Sequence, residues 1–470
     1  MTSYSQRIAQ RLERSRPAAL NAYLLTLAFI TYFCMYAFRK PFAAARFAGL
    51  YFAGTQIELK TALVISQIVG YALSKFVGIR ICSEVQRRRQ APLLVALIAA
   101  AELALVLFAV LPQSWKVAAI FLNGLPLGMV WGLVVRYLEG RRTSEILLAG
   151  LSCSFIVSSG VVKDVGRALL TGDRLFGVPG LALPWAVPEF WMPAVTGLLF
   201  FPPLLAAVWL LDLTPEPSAL DRAARMQRVP MGRARRAEFL RRFGPGIAML
   251  VAAYFFLTAF RDYRDNYLVD MLDELGYGGG QYNGAITIME SLIAIGIMAA
   301  MATLSFVQDN RRGLFAVFAV MIAGVAMLGA ATWLWHAGLI GGLMWIALLG
   351  MASYLTYVPF NSLLFDRLIA STRVAGTAVF AIYVADALGY TGSVGVLLFK
   401  DLAAGGASRS EFLGRFALLM SGFGIVALSA SCGYFLSWSR QPAADPASAP
   451  DEAGVPAAGS GTVATATTST

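Results

Sequence analysis

The sequence predicts an all-α integral membrane protein, twelve transmembrane helices in two pseudo-symmetric six-helix halves. Three observations carry that prediction. Mean hydropathy is +0.66 and only 14% of residues are charged, so a soluble chain would leave more apolar surface than one or two cores can bury. The apolar stretches run about 18 to 26 residues, enough for a helix to cross ~30 Å of hydrocarbon and far too long for barrel strands. A short charged motif near the end of the first stretch returns at the matching place in the seventh.

The first span, Leu20–Ala43, follows a polar, basic segment and carries "YAFRKPF" (Tyr36–Phe42) near its outer end. The apolar run is of spanning length and no cleavage pattern precedes it, so it reads as a span and not a signal peptide. Leu59–Ile79, Pro92–Leu111, Val117–Tyr137, Ile146–Leu170 and Phe190–Leu211 complete the first half, residues 1–212. A basic stretch, "DRAARMQRVPMGRARRAEFLRR", dominates residues 213–245 and reads as an amphipathic linker on the inner leaflet. The second half, 246–439, holds Ile247–Val269, Asn283–Phe306, Leu314–Trp333, Leu339–Phe360, Val374–Phe399 and Phe416–Trp438. Residues 440–470 are Ala, Pro, Gly, Ser and Thr with few large apolar side chains, a composition expected to stay disordered.

Arginine placement predicts orientation. With the N-terminus inside, the cytoplasmic links outweigh the opposite ones in Lys and Arg by roughly four to one, a positive-inside signal. An even number of spans then puts both termini in the cytoplasm, and the expected location is a bacterial cytoplasmic (inner) membrane. The net charge of +11 is accounted for by anionic headgroups and calls for no nucleic acid. Cys34, Cys82, Cys153 and Cys432 show no paired spacing, and His336 is the sole histidine, so neither a disulfide frame nor a multi-histidine metal site is expected. No nucleophile–base pair or HExxH-like spacing points to an enzyme, and no cofactor is expected.

The recurrent motif is "TAFRDYR" (Thr258–Arg264), which aligns Ala37, Phe38 and Arg39 with Ala259, Phe260 and Arg261, 222 residues apart (261 minus 39). That separation is close to half the folded chain, as two six-helix repeats joined by an inner linker require. Twelve spans, a basic central loop and a basic pair in span one resemble the major facilitator superfamily. "YAFRKPF" together with "GYALSKFVG" (Gly70–Gly78) is similar to the organophosphate:phosphate antiporters, as a bacterial branch distantly related to them. In that family one arginine of span one and one of span seven hold the phosphate; the resemblance places Arg39 and Arg261 there. Two departures leave the substrate open. The loop after span two is blurred to "GIRICSEVQRRR", and span five carries "VVKDVGR" where the family has a histidine.

A charged side chain at mid-membrane costs about 2.5–3.5 kcal/mol, so those within spans are expected to face a polar cavity or each other. They are Arg39, Lys40, Lys75, Glu102, Arg136, Lys163, Asp164, Arg261, Asp262, Glu290 and Asp386. Arg39, Lys40, Arg261, Tyr36 and Lys163 are the expected substrate-binding set. Asp164, Glu290, Asp386 and Lys75 are expected to couple or to form charge pairs. Lys40 is followed by Pro41 and more apolar residues, so the basic pair is expected to interrupt the span and not to end it. Arg261 with Asp262, Arg264 and Asp265 reads equally as a surface ion-pair cluster. Lys163 and Asp164 lie about 100° apart on a helix and need separate partners. Glu290 and Asp386 read either as proton-coupling acids or as partners of Lys75, Lys163 or an arginine. Tyr32, Trp131, Tyr357 and Asn361 either shape a cavity or simply pack.

The function expected is secondary active transport, by antiport, of a small organic or phosphorylated anion, by a monomer whose other partner is the lipid bilayer. Two alternatives stay open: a proton-coupled exporter of a neutral or cationic compound, and a transporter-like sensor.

Overall fold

The computed structural model describes residues 3–139, 143–174, 185–217, 233–278, 284–365, 378–403 and 406–438, with 141, 178, 282 and 367–368. The tail assigned to 440–470 and much of the linker, 218–232, lie outside the described residues. Among those described there are twelve helices of 18 residues or more and no β-strand. They are α1 (Pro17–Arg39), α2 (Leu59–Glu84), α3 (Arg87–Val110), α4 (Gln113–Leu138), α5 (Ser144–Thr171) and α6 (Met192–Asp212) in the first half. The second half holds α7 (Arg233–Glu274), α8 (Ala285–Ser305), α9 (Asn310–His336), α10 (Gly342–Pro359), α11 (Ala378–Leu402) and α12 (Arg409–Trp438). Ten of the twelve are long and apolar enough to cross a membrane.

Two helices differ instructively from expectation. α7 begins at Arg233, within the segment read as linker, and continues past Val269 to Glu274. Its last turn and a half is polar, and its acids are all answered: Asp270 by Lys60 and Asp273 by Arg46 of the first half, Glu274 by Arg409 of its own. α1 stops at Arg39 because Pro41 has no N–H to continue the ladder; Lys40, still in the right-handed region (φ −110°, ψ −6°), gives its N–H to the Tyr36 carbonyl as the last bond of the helix. Pro41–Ala44 then forms a buried 3₁₀ turn. The basic pair therefore ends the helix, where cations complement the negative end of the dipole, and does not interrupt it.

Within the halves, α2 packs on α4, α1 on α5 and α6, α7 on α11 and α12, and α9 on α10 and α12. The halves meet along α5–α8 and α2–α11, pairs that exchange under the internal twofold. The α2–α4 contact is backbone-close: a methyl group at Gly124 would sit 2.6 Å from the Gln67 carbonyl oxygen, and one at Gly128 2.6 Å from that of Tyr71. Small residues allow this approach, which dispersion then rewards along its length. Gly124→Val is expected to cost about 1–3 kcal/mol by overpacking, measured as reversible unfolding in mixed micelles. A change within about 0.5 kcal/mol would show the contact to be loose.

Candidate functional site

The site grows from the end of α1. Arg39 and Lys40 are 9% and 5% exposed. Lys40 Nζ donates to Asn266 Oδ1 (2.8 Å) and pairs with Asp265 Oδ2 (2.6 Å), both on α7 in the other half. The second oxygen of Asp265 accepts from Lys163 Nζ and from Ser159 Oγ, each at 2.5 Å and both on α5. Two lysines of one half thus share one carboxylate of the other.

Further pairs extend the pattern. Lys60, 1% exposed, pairs with Asp270 and also donates to the carbonyls of Ala43 (2.9 Å) and Ala45 (2.8 Å), which ties the 3₁₀ turn to α7. Arg46 Nε donates to Asp273 at 2.7 Å. Lys75 pairs with Asp386 at 2.7 Å, and Tyr254 Oη donates to the other oxygen of that carboxylate at 2.6 Å. In all of these the first half supplies the cation and the second the acid; Arg409 with Glu58 is the reverse case. Lys60 and Lys75 are 15 residues apart on α2 (75 minus 60), so the charge web covers about 22 Å of depth.

Arg261 pairs with its neighbour Asp262 (2.7 Å) and Arg264 with Glu290 (2.9 Å), the latter two both 1% exposed. The reading of this segment as a surface ion-pair cluster is therefore corrected. Asp262, Arg264, Asp265 and Asp270 are all buried, because α7 runs on and turns this face toward the first half.

Arg39 differs from the other cations of the web: among the described residues it has no acidic partner. Its guanidinium carbon lies 4.0 Å from the Tyr71 ring centre and 5.6 Å from that of Tyr36, and its Nε makes no hydrogen bond. Arg261 sits 3.8 Å over Tyr357. Tyr36 lies within electrostatic reach of both arginines. Aromatic rings enclose the region and cross between the halves, Tyr71 with Tyr390 (5.8 Å) and Phe155 with Tyr354 (6.1 Å). Tyr32 and Trp131 meet edge to face at 4.8 Å. Cation–π stacking holds each guanidinium flat while leaving its N–H edge free to donate.

The remaining sequence candidates fall in several places. Among the described residues Asp164 forms no ion pair; one oxygen accepts from the Thr287 N–H (2.8 Å) and hydroxyl (2.7 Å), so it caps the start of α8 from the opposite half. Arg136 donates to the Val85 carbonyl at 2.7 Å, at the end of the bundle where α2 and α4 finish. Glu102 stands apart from the web. The Asn361 side chain lies outside what is described. Sequence reasoning missed Lys60, Asp265 and Asp270, although the signal was present. Asp262, Asn266 and Asp270 recur every four residues with Asp265 and Asp273 beside them, an acidic stripe on one helix face. Ending the span at Val269 concealed it.

A family model described as a family of unknown function, DUF5690, matches residues 41–437. No curated protein sequence matches the chain. Among solved structures, the nucleoside transporter NupG superposes with a TM-score of 0.55 at 13% identity, covering 90% of this chain and 100% of its own. The xylose transporter XylE from E. coli, inward open, gives 0.53 at 14% identity, over 86% and 95%. A POT family transporter in complex with a thioalcohol-conjugated peptide gives 0.54 at 13%, over 89% and 96%. At these identities the likeness establishes the fold, the one expected from the twelve spans and the repeat.

Proposed function

We propose that this chain, which belongs to the DUF5690 family, is a secondary transporter that moves a small organic or phosphorylated anion across the bacterial inner membrane by alternating access. The single observation that carries the reading is Arg39: a 9% exposed guanidinium without an acidic partner among the described residues, in a web whose other cations are paired. An anion approaching it also meets Arg261 from the second half, and planar multi-donor groups suit phosphate or carboxylate. The inter-half pairs of Lys40, Lys60, Lys75 and Lys163 have to separate on one side when the halves rock. An incoming anion compensates part of that cost by taking the place of an acid beside a lysine.

The proposal is tested by reconstituting the protein in proteoliposomes and offering labelled inorganic phosphate, sugar phosphates and carboxylates beside xylose, a nucleoside and a dipeptide. Saturable uptake confined to one or more anions is the expected result. Uptake of the neutral compounds alone would refute it.

A further inference from the structure

Glu102 takes no part in the charge web. It lies on α3, 8% exposed, and among the described residues neither carboxyl oxygen has a hydrogen-bond partner. The carboxyl fills the notch left by Gly197 on α6, where a methyl group would overlap its Oε2 and would come 3.1 Å from the Phe38 ring of α1. Among the described residues the elements packed on α3 bring uncharged groups to this corner: Gly197 of α6 and Phe38 of α1 lie at the carboxyl itself, Phe201 of α6 packs its ring 6.0 Å from that of Phe38, and Asn123 of α4 bonds the carbonyl of the neighbouring Ala101. The neighbouring cations of α1 are turned elsewhere, Arg39 to Tyr71 and Lys40 to Asp265. Among the described residues no Lys or Arg forms an ion pair with Glu102.

An ionised carboxylate in such a crevice would be desolvated without any compensating bond, a penalty of several kcal/mol. A protonated carboxyl avoids it. The surroundings also connect the crevice to the candidate site. Asn123 Nδ2 donates to the carbonyls of Ala101 and Phe38 (3.0 Å each), and Gln67 Nε2 donates to Asn123 Oδ1 and to the Arg39 carbonyl (2.8 Å each). One amide pair thus ties together the backbone of the residue before Glu102, that of Phe38, whose ring covers it, and that of Arg39.

We infer that Glu102 is a proton-binding site, carrying its proton while α3, α6 and α1 are closed around it and giving it up only when that contact opens, so that protonation is linked to the seating of Phe38 and Arg39. The site is independent of the transported solute, and its test requires none.

The infrared spectrum of the purified protein near neutral pH, minus that of Glu102→Gln, is expected to contain the C=O band of a protonated carboxyl. Loss of an ionised-carboxylate band in its place would overturn the assignment. Linkage supplies a second reading. The folded state holds a proton that the unfolded chain releases above a pH of about 4.3, so the unfolding equilibrium in mixed micelles shifts toward the unfolded form as pH rises, by up to about tenfold per pH unit. Glu102→Gln is expected to remove that slope. If the Gln variant fails to assemble, Glu102→Met, apolar and similar in length, serves for both measurements. A pH slope unchanged by substitution overturns the site.

Discussion

Asp265→Ala is expected to destabilise the folded protein by about 3–5 kcal/mol, because it strips the shared acid from two lysines that cannot reach water. Lys40 and Lys163 are 5% and 0% exposed. After the substitution Lys40 would keep only Asn266, and Lys163 only Ser159, neither of which carries charge. The effect should exceed that of Asp273→Ala, whose partner Arg46 has a side chain 56% exposed and can rehydrate. Unfolding in mixed micelles measures both. Adding Lys163→Met to Asp265→Ala should recover part of the loss, since it removes one of the stranded charges. A cost below about 1 kcal/mol would mean that the lysines are solvated and that the web is not a buried lock.

Arg39→Gln and Arg261→Gln are each expected to weaken anion binding by about 2–5 kcal/mol, roughly 30- to 4,000-fold in Kd. The two losses should differ in character. Among the described residues Arg39 has no acid to release, so its removal is expected to leave the folded protein little changed or more stable. Removal of Arg261 strands Asp262, which would keep Ser393 Oγ at 2.8 Å as a donor, and so brings a stability cost as well. Isothermal titration with the tightest binder among inorganic phosphate, phosphate esters and small carboxylates gives the affinities, and denaturation gives the stabilities. Unaltered affinity in both variants would remove the arginines from the binding site.

Much of the fold was legible because length and apolarity speak directly to a bilayer, and because Ala37–Arg39 and Ala259–Arg261 mark the repeat. The site was legible only in part, for two physical reasons. Pro41 brings no N–H to the helix ladder, which moved the end of α1 to Arg39 and turned an apparent interruption into a terminus. Asp265 and Asp270 lie in a segment too polar to resemble a span, and only the cations of the opposite half make its burial tolerable. Pairings such as Lys60 with Asp270 join residues 210 apart in the chain, and no local pattern announces them. That Glu290 pairs with an arginine was one of the expected alternatives; that the arginine is Arg264 was hidden, since neither position reveals that α7 and α8 turn those faces together.

The most direct measurement is a double-mutant cycle on binding of that same anion, comparing wild type, Arg39→Gln, Arg261→Gln and the double variant. If both guanidiniums grip one anionic group, the second substitution removes less than the first, leaving a coupling of about 1 kcal/mol or more. Strictly additive losses would place the two arginines on separate sites and contradict the shared clamp.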